Sequence, residues 1–201
     1  MKYVSKMLII IGSLMIVASL LIVAFNMHLQ SEGEKTRKAV LKELKEKMED
    51  ESLIKPVESV VSDEERNSND VIIIDGVAYI GYITIPSLDI ELPISKDWDG
   101  ELLNMGACRY DGSTYQNDLV ICAHNYYTYF AKIYKLSAGD EVIFTDIYNN
   151  NVDYIVSYQE VIDGKDIDAI LKEDDAWDLT LFTCTLSGMT RQTVRCVRKQ
   201  D

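Results

Sequence analysis

From residue 71 to the C-terminus the chain is a succession of β-branched and aromatic runs, each soon broken by Gly, Asn, Asp or Pro, and this texture commits it to a mostly β fold. The runs predict strands over 71–74, 77–85, 90–94, 118–123, 141–145, 152–160, 179–184 and 190–197, with Asn149-Asn150-Asn151 marking a hairpin between two of them. Three short stretches, 100–105, 129–136 and 167–171, have helical texture. Eight strands and few helices in about 130 residues favour a closed or nearly closed eight-stranded β-barrel, with a sandwich as the alternative.

The N-terminal part has a different character. Residues 7–27 contain no charged side chain and include Leu8-Ile9-Ile10-Ile11, Leu14-Met15-Ile16-Val17 and Leu20-Leu21-Ile22-Val23. At about 1.5 Å per residue such a run spans roughly 30 Å as a helix, so a transmembrane helix is expected at 7–27 after a short tail at 1–6. A cleaved signal peptide is the competing reading, but the run is longer than the usual apolar core of about 7 to 15 residues. Lys2 and Lys6 precede the run, whereas Lys35, Arg37, Lys38, Lys42, Lys45 and Lys47 follow it, so positive charge alone leaves the orientation open.

Beyond the run, residues 34–51 are highly charged, with Val40, Leu41, Leu44 and Met48 at helical spacing. Glu34 with Lys38 and Glu43 with Lys47 form favourable pairs four residues apart. A solvated stalk helix is the expectation, followed by an acidic, polar linker over 52–70. The net charge of −13 excludes nucleic-acid binding, which needs clustered Lys and Arg. The excess sits in the β part, where residues 67–201 hold 10 basic and 22 acidic side chains. Four cysteines are too few for a disulfide scaffold and none falls in a C-x-x-C pair.

Chemistry concentrates in the segment from Asp178 to Arg198. Two strand-like runs flank Ser187-Gly188, which predicts a tight hairpin centred on that dipeptide. The register then sets Leu181 opposite Val194 and Leu179 opposite Cys196 on one face, and Phe182 opposite Thr193 and Cys184 opposite Arg191 on the other. Directly opposed residues have Cβ atoms about 4.5 to 5.5 Å apart. A free cysteine titrates near pH 8.5, and a neighbouring fixed cation favours the thiolate, the form that attacks a carbonyl carbon. The guanidinium can also hold a developing oxyanion. The bland alternative is a small buried cysteine beside a surface arginine.

There are two histidines. His28 lies at the end of the apolar run, so a reaction in the β domain that needs imidazole must use His124, the last side chain of Asp118-Leu-Val-Ile-Cys-Ala-His124. A histidine at a strand end can face both scaffold and solvent and exchange protons with an amine. A hydrogen-bonded core histidine is the alternative.

Thr180-Leu-Phe-Thr-Cys184 followed by Arg191, with Ala-His124-Asn-Tyr and Gly81-Tyr-Ile-Thr-Ile-Pro-Ser-Leu upstream, resembles a sortase over residues 79–197. Sortases are membrane-anchored cysteine transpeptidases of Gram-positive surfaces. The resemblance implies Cys184 as nucleophile, His124 as acid and base, and Arg191 as the arginine that serves the carbonyl. Arg195 is the competing arginine, two residue pairs from Cys184. It further implies a barrel domain over 71–201 behind a stalk and linker at 28–70, on the outer side of a cell membrane. The substrate would be a C-terminal sorting signal similar to Leu-Pro-x-Thr-Gly on a surface protein, with the acyl group passed to an amine of a cell-wall precursor or a pilin lysine. The oxyanion would lie between Arg191 and the Thr185 N–H. No cofactor is implied. The step from Cys184 to Arg191 is shorter than in many sortases, which leaves the class open.

Substrate contacts are expected from Ala123, Asn125, Thr183 and Thr185 beside the catalytic residues, and from Ile167, Ile170 and Leu171 in the segment that corresponds by position to the family's recognition loop. Tyr126, Tyr127, Tyr129 and Phe130 form either a groove wall or barrel packing. Trp98 and Trp177 read as structural. Glu101, Asp111 and Asp118 lack calcium-ligand spacing, and Cys122, His124, Cys184 and Cys196 match no common zinc pattern. Cys108, Cys122 and Cys196 read as small buried residues, with a disulfide among them left open. A different cysteine hydrolase and a non-catalytic membrane-tethered binding domain are the competing functions.

Overall fold

A computed structural model describes residues 2–50, 70–171 and 176–200. The linker expected over 52–70 therefore lies outside the described residues apart from Asp70. Helix α1 (Lys2–Glu49) comes first, then strands β1 (Ile72–Ile74), β2 (Val77–Ile85), β3 (Ile90–Ser95), β4 (Ala107–Asp111), β5 (Leu119–Cys122), β6 (Glu141–Asp146) and β7 (Asn151–Asp163). Helix α2 (Ile167–Leu171), β8 (Leu179–Cys184) and β9 (Thr190–Arg198) follow. Short 3-10 segments occupy Pro86–Leu88, Leu102–Asn104 and Phe130–Lys135.

The strands form one sheet in the order β1-β2-β3-β4-β5-β8-β9-β7-β6, and β6 pairs back onto β2. Strands β2 to β9 thus close the eight-stranded barrel expected from sequence, while β1 forms a hairpin on the first residues of β2. Closure depends on Gly81. Its φ is +141°, and a Cβ there would stand 2.0 Å from the Thr145 carbonyl oxygen of β6, so any side chain would hold the two seam strands apart. Alternation along β2 buries Ile83 and Ile85 inside the barrel with Leu92, Ile94, Ile121, Leu181 and Val194.

Sequence texture missed β4, a five-residue Ala-Cys-Arg-Tyr-Asp run without the β-branched signature. It exists because β3 and β5 offer edges on either side, β3 in parallel and β5 antiparallel.

The transmembrane helix expected at 7–27 is overturned: among the described residues no helix is long and apolar enough to cross a membrane. α1 is helical through this stretch. Gly12, Ser13 and Ser19 dilute the run. The single-pass membrane topology and the anchoring expected from it rested on that span and fall with it.

Two compact units are distinguished, residues 1–36 and 37–201. In the second, the stripe expected on a solvated stalk is buried: Val40, Leu44 and Met48 pack with Ile72, Ile74, Tyr79 and Ile147. Arg37 donates to the Glu91 carbonyl at 2.6 Å, and Lys45 pairs with the Glu91 carboxylate.

A third cluster lies on the outside of the barrel, where Ile162 and Ile170 cover Phe182, Cys108, Val120 and Cys122. Arg195 ties it down. Fully buried, it donates to Glu160 at 2.9 Å, Thr180 Oγ1 at 2.8 Å, and the backbone carbonyls of Ile170 and Ala169, with its guanidinium 4.4 Å from the Trp177 ring centroid. Trp177 is buried beneath it, and Trp98 is exposed.

Two substitutions check this packing. Leu44→Ala is expected to cost about 2–5 kcal/mol in urea unfolding, as for a core leucine, whereas a solvated stalk would lose a few tenths. Arg195→Met is expected to cost about 3 kcal/mol and to raise hydrogen exchange in 167–171 more than elsewhere.

Candidate active site

The β8–β9 hairpin has the register expected, pairing Leu179 with Cys196, Leu181 with Val194, Phe182 with Thr193 and Cys184 with Arg191. Its turn is longer than a two-residue one. Thr185 N–H donates to the Thr190 carbonyl at 3.0 Å, Gly188 N–H donates back to Thr185 at 2.9 Å, and Gly188 takes φ +71°. Residues 186–189 thus form the turn, and the register survives because both turns share one centre. Leu179, Leu181, Val194 and Cys196 face the barrel core, so the alternate residues face outward. Cys184, last on β8, is exposed.

The next strand over carries the histidine. β5 and β8 run parallel, with Leu119 beside Leu179 and Cys122 beside Phe182. Ala123 N–H continues the ladder to the Phe182 carbonyl at 3.3 Å, and Thr183 Oγ1 clamps the Ala123 carbonyl at 2.8 Å. Two residues beyond the last pair, Cys122 and Phe182, the two chains carry His124 and Cys184; Asn125 but not His124 lines the cavity at the thiol.

His124 is half-buried, and desolvation pushes its imidazole below the usual histidine pKa, favouring the neutral ring. Its ring centroid is 4.7 Å from that of Tyr126, which in turn meets the Tyr129 ring edge-on at 5.7 Å. Tyr129 is buried and donates its hydroxyl to the Asn104 carbonyl, and Phe130 N–H returns to the His124 carbonyl at 3.1 Å. Among the described residues no hydrogen bond reaches the imidazole and none joins it to the thiol. The side chain of His28 lies outside the described residues.

Arg191 is opposite Cys184 by register, but its guanidinium turns toward the hairpin turn, donating to the carbonyls of Gly188 at 3.0 Å and Thr190 at 3.2 Å. It lies against Gly164, where a Cβ would stand 2.7 Å from its Nη1. The Thr185 N–H, the other oxyanion donor suggested by the sequence, is engaged in the hairpin ladder. Both donors are therefore occupied. Arg195 has four partners of its own and faces α2.

The substrate candidates separate into groups. Asn125 and Thr185 line a cavity of about 570 Å³ with Cys184. Thr183 touches it too, but at 3% exposure its side chain serves the β5–β8 clamp. Ala123 and Ile170 are buried, Leu171 is partly buried, and Ile167 is exposed. Residues 172–175 of the expected recognition segment lie outside the described residues. Of the tyrosine run, Tyr129 and Phe130 pack in the core, whereas Tyr127 lines the cavity.

Sequence reasoning missed Lys132, Tyr134, Lys135, Leu186 and Gln192 in the cavity wall. A signal existed in 130–135, where the period of three that buries Phe130 and Ile133 leaves Lys132 and Lys135 together. All four cysteines are free thiols, and burial pushes those of Cys108, Cys122 and Cys196 up.

Comparison with known proteins adds the family. The sortase domain model matches residues 83–199. Clostridium perfringens sortase C with the C-terminal cell wall sorting motif is 24% identical, with 81% of this chain and 99% of that chain covered and a TM-score of 0.60. A C. perfringens sortase D5 transpeptidase is 22% identical, with 83% and 99% covered and a TM-score of 0.61. Streptococcus pneumoniae sortase C is 22% identical, with 87% and 90% covered and a TM-score of 0.57. Identities this low speak for the fold alone. No curated protein matches. With the family model spanning more than half of its length and taking in His124, Cys184 and Arg191, the chain belongs to the sortase family, a family of cysteine-type acyltransferases and hydrolases.

Proposed function

We propose that this protein is a transpeptidase that cleaves a sorting signal similar to Leu-Pro-x-Thr-Gly through a thioester on Cys184 and passes the acyl group to an amine, from a cell-wall precursor or a pilin lysine. The observation that carries this reading is the exposed thiol at the end of β8, opening on a cavity beside the strand that leads to His124. The sorting motif named with the C. perfringens sortase C supports the substrate class.

In the acylation step the neutral His124 ring takes the Cys184 thiol proton, the sulfur bonds to the threonine carbonyl carbon, the peptide C–N bond breaks, and the departing amine takes that proton from His124. In the second step an amine attacks the thioester, its proton passes to His124, and the C–S bond breaks to return the thiolate. Arg191 contributes by exchanging the Gly188 and Thr190 carbonyls for the substrate carbonyl. That exchange costs little, because the Gly188 carbonyl lies in an exposed turn that water can solvate and the Thr190 carbonyl keeps the Thr185 N–H. Ala123 and Thr183 act from beneath, by fixing the level of His124 against Cys184. Ile167, exposed on α2, with the partly buried Leu171, supplies apolar contact for the leucine and proline of the signal, and Ile170 packs beneath them.

Cys184→Ala is expected to remain folded by circular dichroism and to abolish the acyl adduct seen by mass spectrometry after mixing with a sorting peptide. An unchanged adduct overturns the nucleophile. With an amine present the wild type yields an amide; free acid alone at saturating amine points to a hydrolase.

The imidazole gives a pH signature. Its folded pKa lies below the ordinary value of about 6.5, so the unfolded chain binds the proton more tightly and acidification below that value costs stability. His124→Gln is expected to flatten this loss in pH-dependent unfolding and to cut adduct formation by about 100-fold or more.

A further inference from the structure

The cavity beside Cys184 has a charge that the rest of the chain does not prepare for. In a protein of net charge −13, the charged side chains lining it are Lys132 and Lys135, with no carboxylate among the described lining residues. Tyr127, Tyr134 and Leu186 supply apolar surface, and Leu186 is fully exposed at the turn. Lys132 is held in place, donating to the Leu88 carbonyl at 2.6 Å with its ammonium 4.9 Å from the Tyr127 ring centroid. Lys135 stands 5.9 Å from the Tyr134 ring centroid and makes no hydrogen bond or ion pair among the described residues. An ammonium has three donors, so both lysines retain capacity for a ligand.

The side of the thiol on which the cavity lies identifies its occupant. Asn125, the residue after His124, is in its wall. His124 is the group that gives a proton to the departing amine and takes one from the incoming amine, so the amine partner belongs on the imidazole side. The outer face at Phe182 is already covered by Ile162 and Ile170. We infer that the cavity seats the amine acceptor and selects one that carries a carboxylate near its reacting amino group, read by Lys132 and Lys135. This rests on the thioester reading above.

The test is aminolysis of the Cys184 thioester by Gly-Gly-Glu-amide and Gly-Gly-Gln-amide, which differ by one charge. Two partly exposed lysines are expected to favour the Glu peptide by about fivefold at low salt, with the preference shrinking toward unity near 1 M salt. Lys135→Glu is expected to remove or reverse it, and this variant leaves the Lys132 to Leu88 hydrogen bond in place. Equal rates in the wild type, a preference that survives Lys135→Glu combined with Lys132→Gln, or an acid preference confined to donor peptides in the acylation step each overturn the inference. If the wild type forms no thioester, the functional reading fails separately. Nuclear magnetic resonance titration of the same two peptides into Cys184→Ala then decides the cavity: tighter Glu-peptide binding that Lys135→Glu abolishes upholds the acidic-ligand site, and equal binding overturns it.

Discussion

The parallel pairing of β5 with β8 is the constraint from which the site follows. These strands lie about sixty residues apart in sequence, and their ladder matches Leu119 with Leu179 through to Cys122 with Phe182. Because register in a buried sheet is fixed by which residues face the core, a one-residue slip would turn Leu179 and Leu181 outward and cost the barrel its packing. The level of His124 against Cys184 is therefore set by hydrophobic burial several residues away. Thr183 adds a polar lock, since its hydroxyl is spent on the Ala123 carbonyl rather than on solvent or substrate.

A second line of contacts runs to His124 from the helix that precedes the barrel. Arg37 is buried, with its guanidinium carbon 5.9 Å from the Tyr129 ring centroid; Tyr129 abuts Tyr126, and Tyr126 abuts His124. The same stretch of α1 buries Val40, Leu44 and Met48. The residues after the histidine are thus braced from outside the strands, and their backbone closes on itself through Tyr129 and Ala131 N–H groups donating to the Tyr126 carbonyl. A half-buried imidazole in such a setting loses water without gaining a carboxylate, which is why its pKa falls.

What the sequence could and could not disclose follows from the range of the interactions involved. The β8–β9 register was legible because hairpin pairing is local and one face is strictly apolar. The barrel was legible from its run lengths, and 77–85 and 179–184 emerged with the bounds that β2 and β8 have. β4 was not, because Ala107 and Cys108 owe their strand to neighbours far along the chain. The amphipathic stripe at Val40, Leu44 and Met48 was visible, but its burial partner Tyr79 lies across the linker, so the helix read as solvated. The apolar run at 7–27 gave the opposite error: length and absence of charge predicted a membrane span, and no described helix is long and apolar enough to cross one. Lys132 and Lys135 escaped notice because pocket walls form from segments that meet only in the fold.

Two of the three arginines of β9, Arg191 and Arg195, show why chemistry cannot be assigned by residue type. Arg191 and Arg195 are four residues apart on one strand, so their side chains leave the same face, and either fits a motif that asks for an arginine after the cysteine. Burial separates them. Arg195 has spent its donors on Glu160, Thr180 and the carbonyls of Ala169 and Ile170 at zero exposure, and withdrawing it would strand those partners away from water. Arg191 holds the Gly188 carbonyl at an exposed turn, which solvent can satisfy once it leaves, and the Thr190 carbonyl, which keeps the Thr185 N–H. A guanidinium that must reach a transient oxyanion has to be one whose resting partners are cheap to exchange, and of these two Arg191 fits the proposed role better.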